Sequence, residues 1–337
     1  MKDVAVTIPP MTPRATFIRI ARLANEMGYH SIWTYEEFVA DPMVRLAECL
    51  ADTRLITGTG CLNPFLRTPL AIAMTYMTLE EMYPGRNILG LGVGVANWLD
   101  RAGVNTRKTH SGVREAVQII RGLFRGETVT LSGRFFHVHD LKVALPPASH
   151  IPIYLAPREN LVFAEICGEI GDGCFGPIGV PNRFHKKLFD HIRIGLKRSG
   201  RSANEYVFAN NFCALADLTD ASAKESMMRS PWFAHAMGIA SNREAWAECG
   251  LDPNQLEVYQ RAEARQDWEE TTRLLRNTNA HKDFALTGTR ESLAQQIKAK
   301  VEMLGLDLPV ISICAHNDRQ ILETLEGGRL YAEQTCN

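Results

Sequence analysis

Along the first half of the chain, short runs of β-branched and apolar residues alternate with longer segments whose apolar positions recur every three to four residues. Runs of the first kind fit buried strands and segments of the second fit amphipathic helices, so the alternation predicts βαβ units and a parallel sheet. DVAVTI opens the series; residues 13 to 28 then place Phe17, Ile20, Ala21, Leu23, Ala24 and Met27 on one helical face, and Gly28 stops the helix. SIWTY is the second strand. Helical spacing returns with Met43, Leu46, Ala47 and Leu50 before RLITGTG, and a helix over about Leu70 to Met82 leads into RNILGLGVG.

A fourth helix runs from Ser111 to Arg125, and ETVTLSGRFFHVHDLKV after it reads as a β-hairpin excursion. IPIYLAP resumes the parallel pattern. Helices from about Asn160 to Ile170 and over 182 to 198 lead into DGCFGP and EYVFANNFCALADL, and LPVISICAHN is a last strand. Residues from about 217 to 286 are polar, Trp-containing and mostly helical, so they read as an insertion after the seventh strand. Eight βα units favour an α/β chain folded as one (β/α)8 TIM barrel over residues 1 to 337, rather than an open doubly wound sheet.

Composition narrows the function classes. A 45% hydrophobic share supports a sizeable core, and 37 basic against 38 acidic residues leave a net charge of -1, with no global field for nucleic acid or an anionic membrane. The eight cysteines are scattered without a CxxC pair, which argues against zinc or a disulfide framework and for free thiols in a reducing cytoplasm. MKDVAVTIPPMTP is too short in apolar residues for a signal peptide, and NILGLGVGVANWL is broken by glycines, so no membrane span is expected.

In a TIM barrel the chemistry sits at the carboxyl ends of the strands. Glycines crowd the third, fourth and sixth of these ends, where GTGCLNPFLRTP breaks off a strand abruptly. GLGVGVAN has GxGxG spacing and no acidic residue about twenty positions later, unlike a dinucleotide fingerprint. Its glycines either relieve crowding at the strand end or form a backbone-amide cradle for a phosphate or ring edge, with Asn97 adding a side-chain amide. Glu36 and Glu37 follow the second strand, and the period of two sends them in opposite directions, so at most one enters the barrel mouth as an acid or base. HVHD places two histidines on one face of the hairpin, but no third ligand stands near, and no metal is expected.

The run TGTGCLNPFLRTPLAIAMTYMTLEEMYPGRNILGLGVG resembles the bacterial-luciferase-like superfamily, which groups flavin monooxygenases with reductases using the deazaflavin coenzyme F420. REAVQIIRGLFRGE, LSGRFFHVHDLKV, IPIYLAP and AEICGEIGDGCFGP are similar to the same superfamily in the same order, and TGTRESLAQQIKAKVEMLG resembles its last helical unit. NPFLRTP and GYHSIWTYEEF look most similar to the deazaflavin branch, especially methylenetetrahydromethanopterin reductase. The resemblance implies a non-prolyl cis peptide at Gly60 and Cys61 against the back of the deazaflavin ring, with Asn63 facing the site. It implies coenzyme contacts at Gly92, Val93, Gly94 and Asn97, more at Ala156, Gly176 and Pro177, and a homodimer.

Two departures qualify the picture. The deazaflavin branch usually carries Asp-His where Glu36 and Glu37 stand here, and the first strand ends VTIPP without the carboxylate of the pterin reductases. The expected activity is hydride transfer between coenzyme F420 and a small organic substrate such as a methylene-tetrahydropterin. The alternatives are an FMN-dependent luciferase-like monooxygenase and a non-catalytic flavin-binding barrel.

Overall fold

A computed structural model describes residues 2–104, 109–146, 148, 150–239, 243–248, 252–265, 267–276, 278 and 280–334, without the side chains of 96–98, 182, 239, 244, 245 and 248. In chain order the strands are β1 Ala5–Thr7, β2 Ser31–Thr34, β3 Ile56–Thr59, β4 Asn87–Gly92, β5 Val129–Ser132, β6 His137–Leu141, β7 Ile153–Ala156, β8 Gly173–Gly176, β9 Val207–Ala216, β10 Ala285–Gly288 and β11 Leu308–Ile313. The sheet order is β10-β9-β11-β1-β2-β3-β4-β7-β8 with β9 also paired to β8, while β5 and β6 form a separate antiparallel hairpin. Leaving out β10, this is the closed eight-stranded parallel barrel expected from the alternation.

Contacts divide the chain into two compact units, one of Met1–His30, Gly176–Asp190 and Phe208–Asn337 and another of Ser31–Phe175 and His191–Val207. In the second unit the helix Pro42–Asp52 starts where Asp41 accepts hydrogen bonds from the amides of Met43 and Val44, and Pro69–Met82 starts where Thr68 accepts one from Ala71. Each has proline in its first turn, where no amide hydrogen is needed. Trp33, Tyr76 and Phe163 are buried in this unit's core.

In the first unit β1 pairs with β11 so that Thr7 stands opposite Ser312. Ile311 reaches to within 3.1 Å of the position a Cβ on Gly328 would take, and Gly328 lies on the helix Asp318–Gln334. Ile311 therefore faces the helical layer, and the alternation along a strand turns Thr7 and Ser312 inward. The described residues of the inserted region between Asp220 and Phe284 are mostly helical, and β10 follows them and pairs with β9. The reading from sequence found no strand there, because ALTG is four residues long and carries no alternation.

Candidate active site

The abrupt ending of β3 has a structural cause. The peptide between Gly60 and Cys61 is cis, where the resemblance implied one. Gly60 N donates to Thr34 O at 2.8 Å, then Leu62 N donates to Gly90 O at 2.8 Å and Gly92 N to Leu62 O at 3.0 Å. The chain thus leaves the β2 ladder and rejoins β4 beyond it. Glycine at 90 permits this approach, since a Cβ there would fall 1.7 Å from Thr59 O. The Thr59 hydroxyl accepts from Gly90 N at 3.0 Å and shares a 2.9 Å hydrogen bond with Tyr76.

Asn63 lies at the centre of the next loop and is buried. Its amide donates to Glu36 Oε2 at 2.8 Å, and its side-chain oxygen accepts from Phe65 N at 2.8 Å. Arg67 forms an ion pair through Nε with Glu36 and a second with Asp41, whose other oxygen caps the helix Pro42–Asp52. Burial alone would raise the Asp41 carboxyl, but Arg67 and the capped amides outweigh it and hold it below the usual range. Glu36 is thus a strut that fixes the Asn63 loop, and proton transfer would require it to leave both partners. Glu37 is half-buried, with its carbonyl accepting from Val39 N at 2.8 Å.

Around this loop the structure gathers most of the expected cofactor residues. A Cβ on Gly92 would fall 2.3 Å from Cys61 Sγ and 3.4 Å from the Ala156 methyl, and one on Gly94 would fall 2.1 Å from Asn63 Nδ2. Gly94 has φ +72, which glycine adopts without cost. Asn63 Nδ2 is buried and makes no hydrogen bond within the protein. An unsatisfied buried donor beside glycine backbone fits a ligand that brings acceptor oxygens, as a phosphate or a ring-edge carbonyl does. Cys61 is half-exposed, yet its thiol is pushed up to about 12, first by burial and then by the Glu36 carboxylate, so it is a neutral contact and not a nucleophile.

Some expectations change. A Cβ on Gly60 would meet the Phe175 ring at 2.8 Å, and Phe175 stacks on Trp33 at 4.7 Å, so a side chain at 60 would strike the aromatic core. Val93 is half-buried beside the cradle, and the side chain of Asn97 lies outside the described residues. Gly176 and Pro177 belong to the first unit. There Gly176 makes room for Asn210 Oδ1, and the Pro177 carbonyl is hydrogen-bonded to His185 Nε2 at 2.9 Å. Among the described residues no group of three or more His, Cys, Asp or Glu could hold a metal, and no helix is long and apolar enough to cross a membrane.

Residues 3–308 match the family described as luciferase-like monooxygenase. The chain belongs to that family. Among its relatives are a 5,10-methylenetetrahydromethanopterin reductase of Methanolobus tindarius, 30% identical over 64% of this chain and 66% of the relative, and an F420-dependent glucose-6-phosphate dehydrogenase of Kineococcus radiotolerans, 34% identical over 54% and 58%. These alignments span less than two thirds of either relative. The fold matches the coenzyme F420-dependent tetrahydromethanopterin reductase of Methanopyrus kandleri with a TM-score of 0.84, at 20% identity over 97% of both chains. It also matches the FMN-bound oxygenating constituent of 3,6-diketocamphane monooxygenase from Pseudomonas putida, with a TM-score of 0.70 at 16% identity over 97% of both.

Proposed function

We propose that this protein is an oxidoreductase that moves hydride between coenzyme F420 and a small organic substrate. The observation that carries the reading is the cradle of Cys61, Asn63, Gly92 and Gly94, where a buried amide donor without a protein partner meets glycine backbone. The relatives named as F420-dependent glucose-6-phosphate dehydrogenases support the deazaflavin over FMN. Bound there, the deazaflavin would supply one carbon that accepts or donates hydride. The protein's own residues hold it: the loop fixed by Glu36 and Arg67 sets its position, Asn63 offers a donor to its oxygens, and the uncharged Cys61 thiol adds no competing charge.

Titrating the apoprotein with coenzyme F420 and with FMN should give tight binding of the first and weak binding of the second; binding of FMN alone would sink the deazaflavin reading and favour the monooxygenase alternative. Gly94→Ala should lower F420 affinity at least about tenfold, because the new methyl displaces Asn63 and the left-handed backbone costs about 1–2 kcal/mol for a residue with a Cβ. Unchanged affinity would remove the cradle. Methylene-tetrahydropterins and sugar phosphates are the two substrate classes that the relatives' names suggest.

We carry the homodimer implied by the resemblance as part of the proposal, with Val44 at 69% and Met74 at 50% exposure on the helices Pro42–Asp52 and Pro69–Met82 as the positions to test. Sedimentation velocity should give a dimer that Val44→Glu with Met74→Glu dissociates; an unaltered dimer would move the interface elsewhere. The six described cysteines are free thiols, in keeping with a reducing compartment.

A further inference from the structure

Within the unit of Ser31–Phe175 and His191–Val207, a cleft of about 490 Å³ is lined by Arg114, Gln118, Arg121, Glu169, Asp172 and Arg201, with apolar surface from Val117 and Ile170. That volume suits a small molecule. On the helix Thr109–Phe124 the residues 114, 117, 118 and 121 recur at intervals of three and four, which sets them in one stripe. Glu169 and Ile170 are the last two residues of the helix Leu161–Ile170. Asp172 directly precedes β8, and its Oδ2 accepts from the amide of Ile153, the first residue of β7, at 2.8 Å. The cleft therefore lies at the amino ends of these strands, apart from the carboxyl ends of β3 and β4 that build the cofactor cradle.

Its charges are arranged with the cations toward water. The side chains of Glu169 and Asp172 are 15% and 17% exposed, against 43% for Arg114, 27% for Arg121 and 29% for Arg201. Both carboxylates are already held. Glu169 is paired with Arg114 and, at 3.0 Å, with Arg198, while Asp172 accepts from Arg121 at 2.9 Å and from the Ile153 amide. Burial alone would raise the Glu169 carboxyl, but Arg114 and Arg198 outweigh it and keep it below the usual range, so it stays a paired anion. Three guanidiniums against two carboxylates leave the lining positive. Arg114 bonds through Nη2 to Glu169, and Arg121 bonds through Nη2 to Asp172 and the Ile170 carbonyl. Nε and Nη1 of both have no partner among the described residues. The carboxylates thus fix two guanidinium planes and leave donors on each for something else.

We infer that this cleft is a second ligand site, one that takes a phosphate monoester, with Arg114 and Arg121 donating to the phosphate oxygens and the organic part resting on Val117 and Ile170. A phosphate dianion brings two charges and three terminal oxygens to two guanidiniums with donors to give. A carboxylate, with one charge and two oxygens, matches them less well. Gln118 is exposed beside them and adds an amide. No bond is made or broken in this cleft, because a barrel does its chemistry at the other ends of its strands. Its work is binding, and a ligand held there stabilises the folded chain.

The test titrates the full chain with phenyl phosphate and with inorganic phosphate in a calorimeter, at a pH of about 8 where the ester is a dianion. Phenyl phosphate should bind once per chain, at least about tenfold more tightly than inorganic phosphate, and should raise the Tm. Gln118→Glu places a carboxylate in the cleft without touching an ion pair, so it should weaken the ester about tenfold or more and leave urea stability and F420 affinity unchanged. Arg114→Gln should weaken it by a similar factor. The assignment is overturned by any of four results: no saturable binding, affinity unchanged in both folded variants, inorganic phosphate binding as tightly as the ester, or displacement of the ester by coenzyme F420. The titration without coenzyme decides the site even where the deazaflavin reading fails.

Discussion

Arg67→Met should destabilise the protein by about 2–3 kcal/mol and lower cofactor affinity about tenfold, although Arg67 is not expected to touch the cofactor. The Glu36 side chain is only 10% exposed and that of Arg67 29%, so removing the guanidinium leaves a largely buried carboxylate facing a single amide, that of Asn63. The same loss frees Asp41, which caps the helix Pro42–Asp52 and gains part of its acidity from Arg67. Glu36→Gln should cost less, because a glutamine oxygen still accepts from Asn63 N. The double variant Glu36→Gln with Arg67→Met should recover part of the single loss, since no unpaired charge remains. Urea unfolding of the four proteins measures the coupling, and strictly additive losses would mean that the pair does not act as a unit.

A second large effect is expected from pH. His185 is buried, with one ring nitrogen bonded to the Pro177 carbonyl and the other, Nδ1, without a partner, so the neutral ring with hydrogen on Nε2 fits its surroundings. Burial, helped by the charge of Lys300 and opposed by the Pro177 bond, lowers its pKa from 6.5 to about 4. The unfolded chain therefore takes up the proton first as pH falls. The contribution of His185 to stability is fully present above about 6.5 and is lost between there and about 4, a total near 3 kcal/mol. Subtracting the pH profile of His185→Gln from that of wild type isolates this residue from the carboxylates that titrate lower down. A flat difference across the window would mean that His185 is charged or open to water in the native state.

How much of this was legible in the sequence depends on the range of the signal. Helix positions followed from local patterns: the helix Pro69–Met82 was read to within a residue from its apolar spacing, and the helix Arg14–Glu26 lies within the span 13 to 28 that Gly28 was read to end. The barrel followed from counting such units. At the candidate site, the glycines at 60, 92 and 94 were visible because glycine at a strand end is locally odd. Their partners were not, since the contacts of Gly94 with Asn63 and of Gly60 with Phe175 depend on neighbouring strands.

Glu36 shows the limit most clearly. Alternation along β2 leaves two adjacent carboxylates indistinguishable, and only the fold brings Arg67 and the Asn63 amide against the first of them.

The interlock of Asn63 with Gly94 also limits how this site can diversify. A larger residue at 94 meets the Asn63 amide nitrogen at 2.1 Å and also stands at φ +72, a backbone that residues with a Cβ rarely adopt. Shrinking 63 first removes the acceptor of Phe65 N and the donor offered to the cofactor. Neither position can therefore change first without loss, and lineages or mutant libraries that vary the two sites one at a time should hold both fixed.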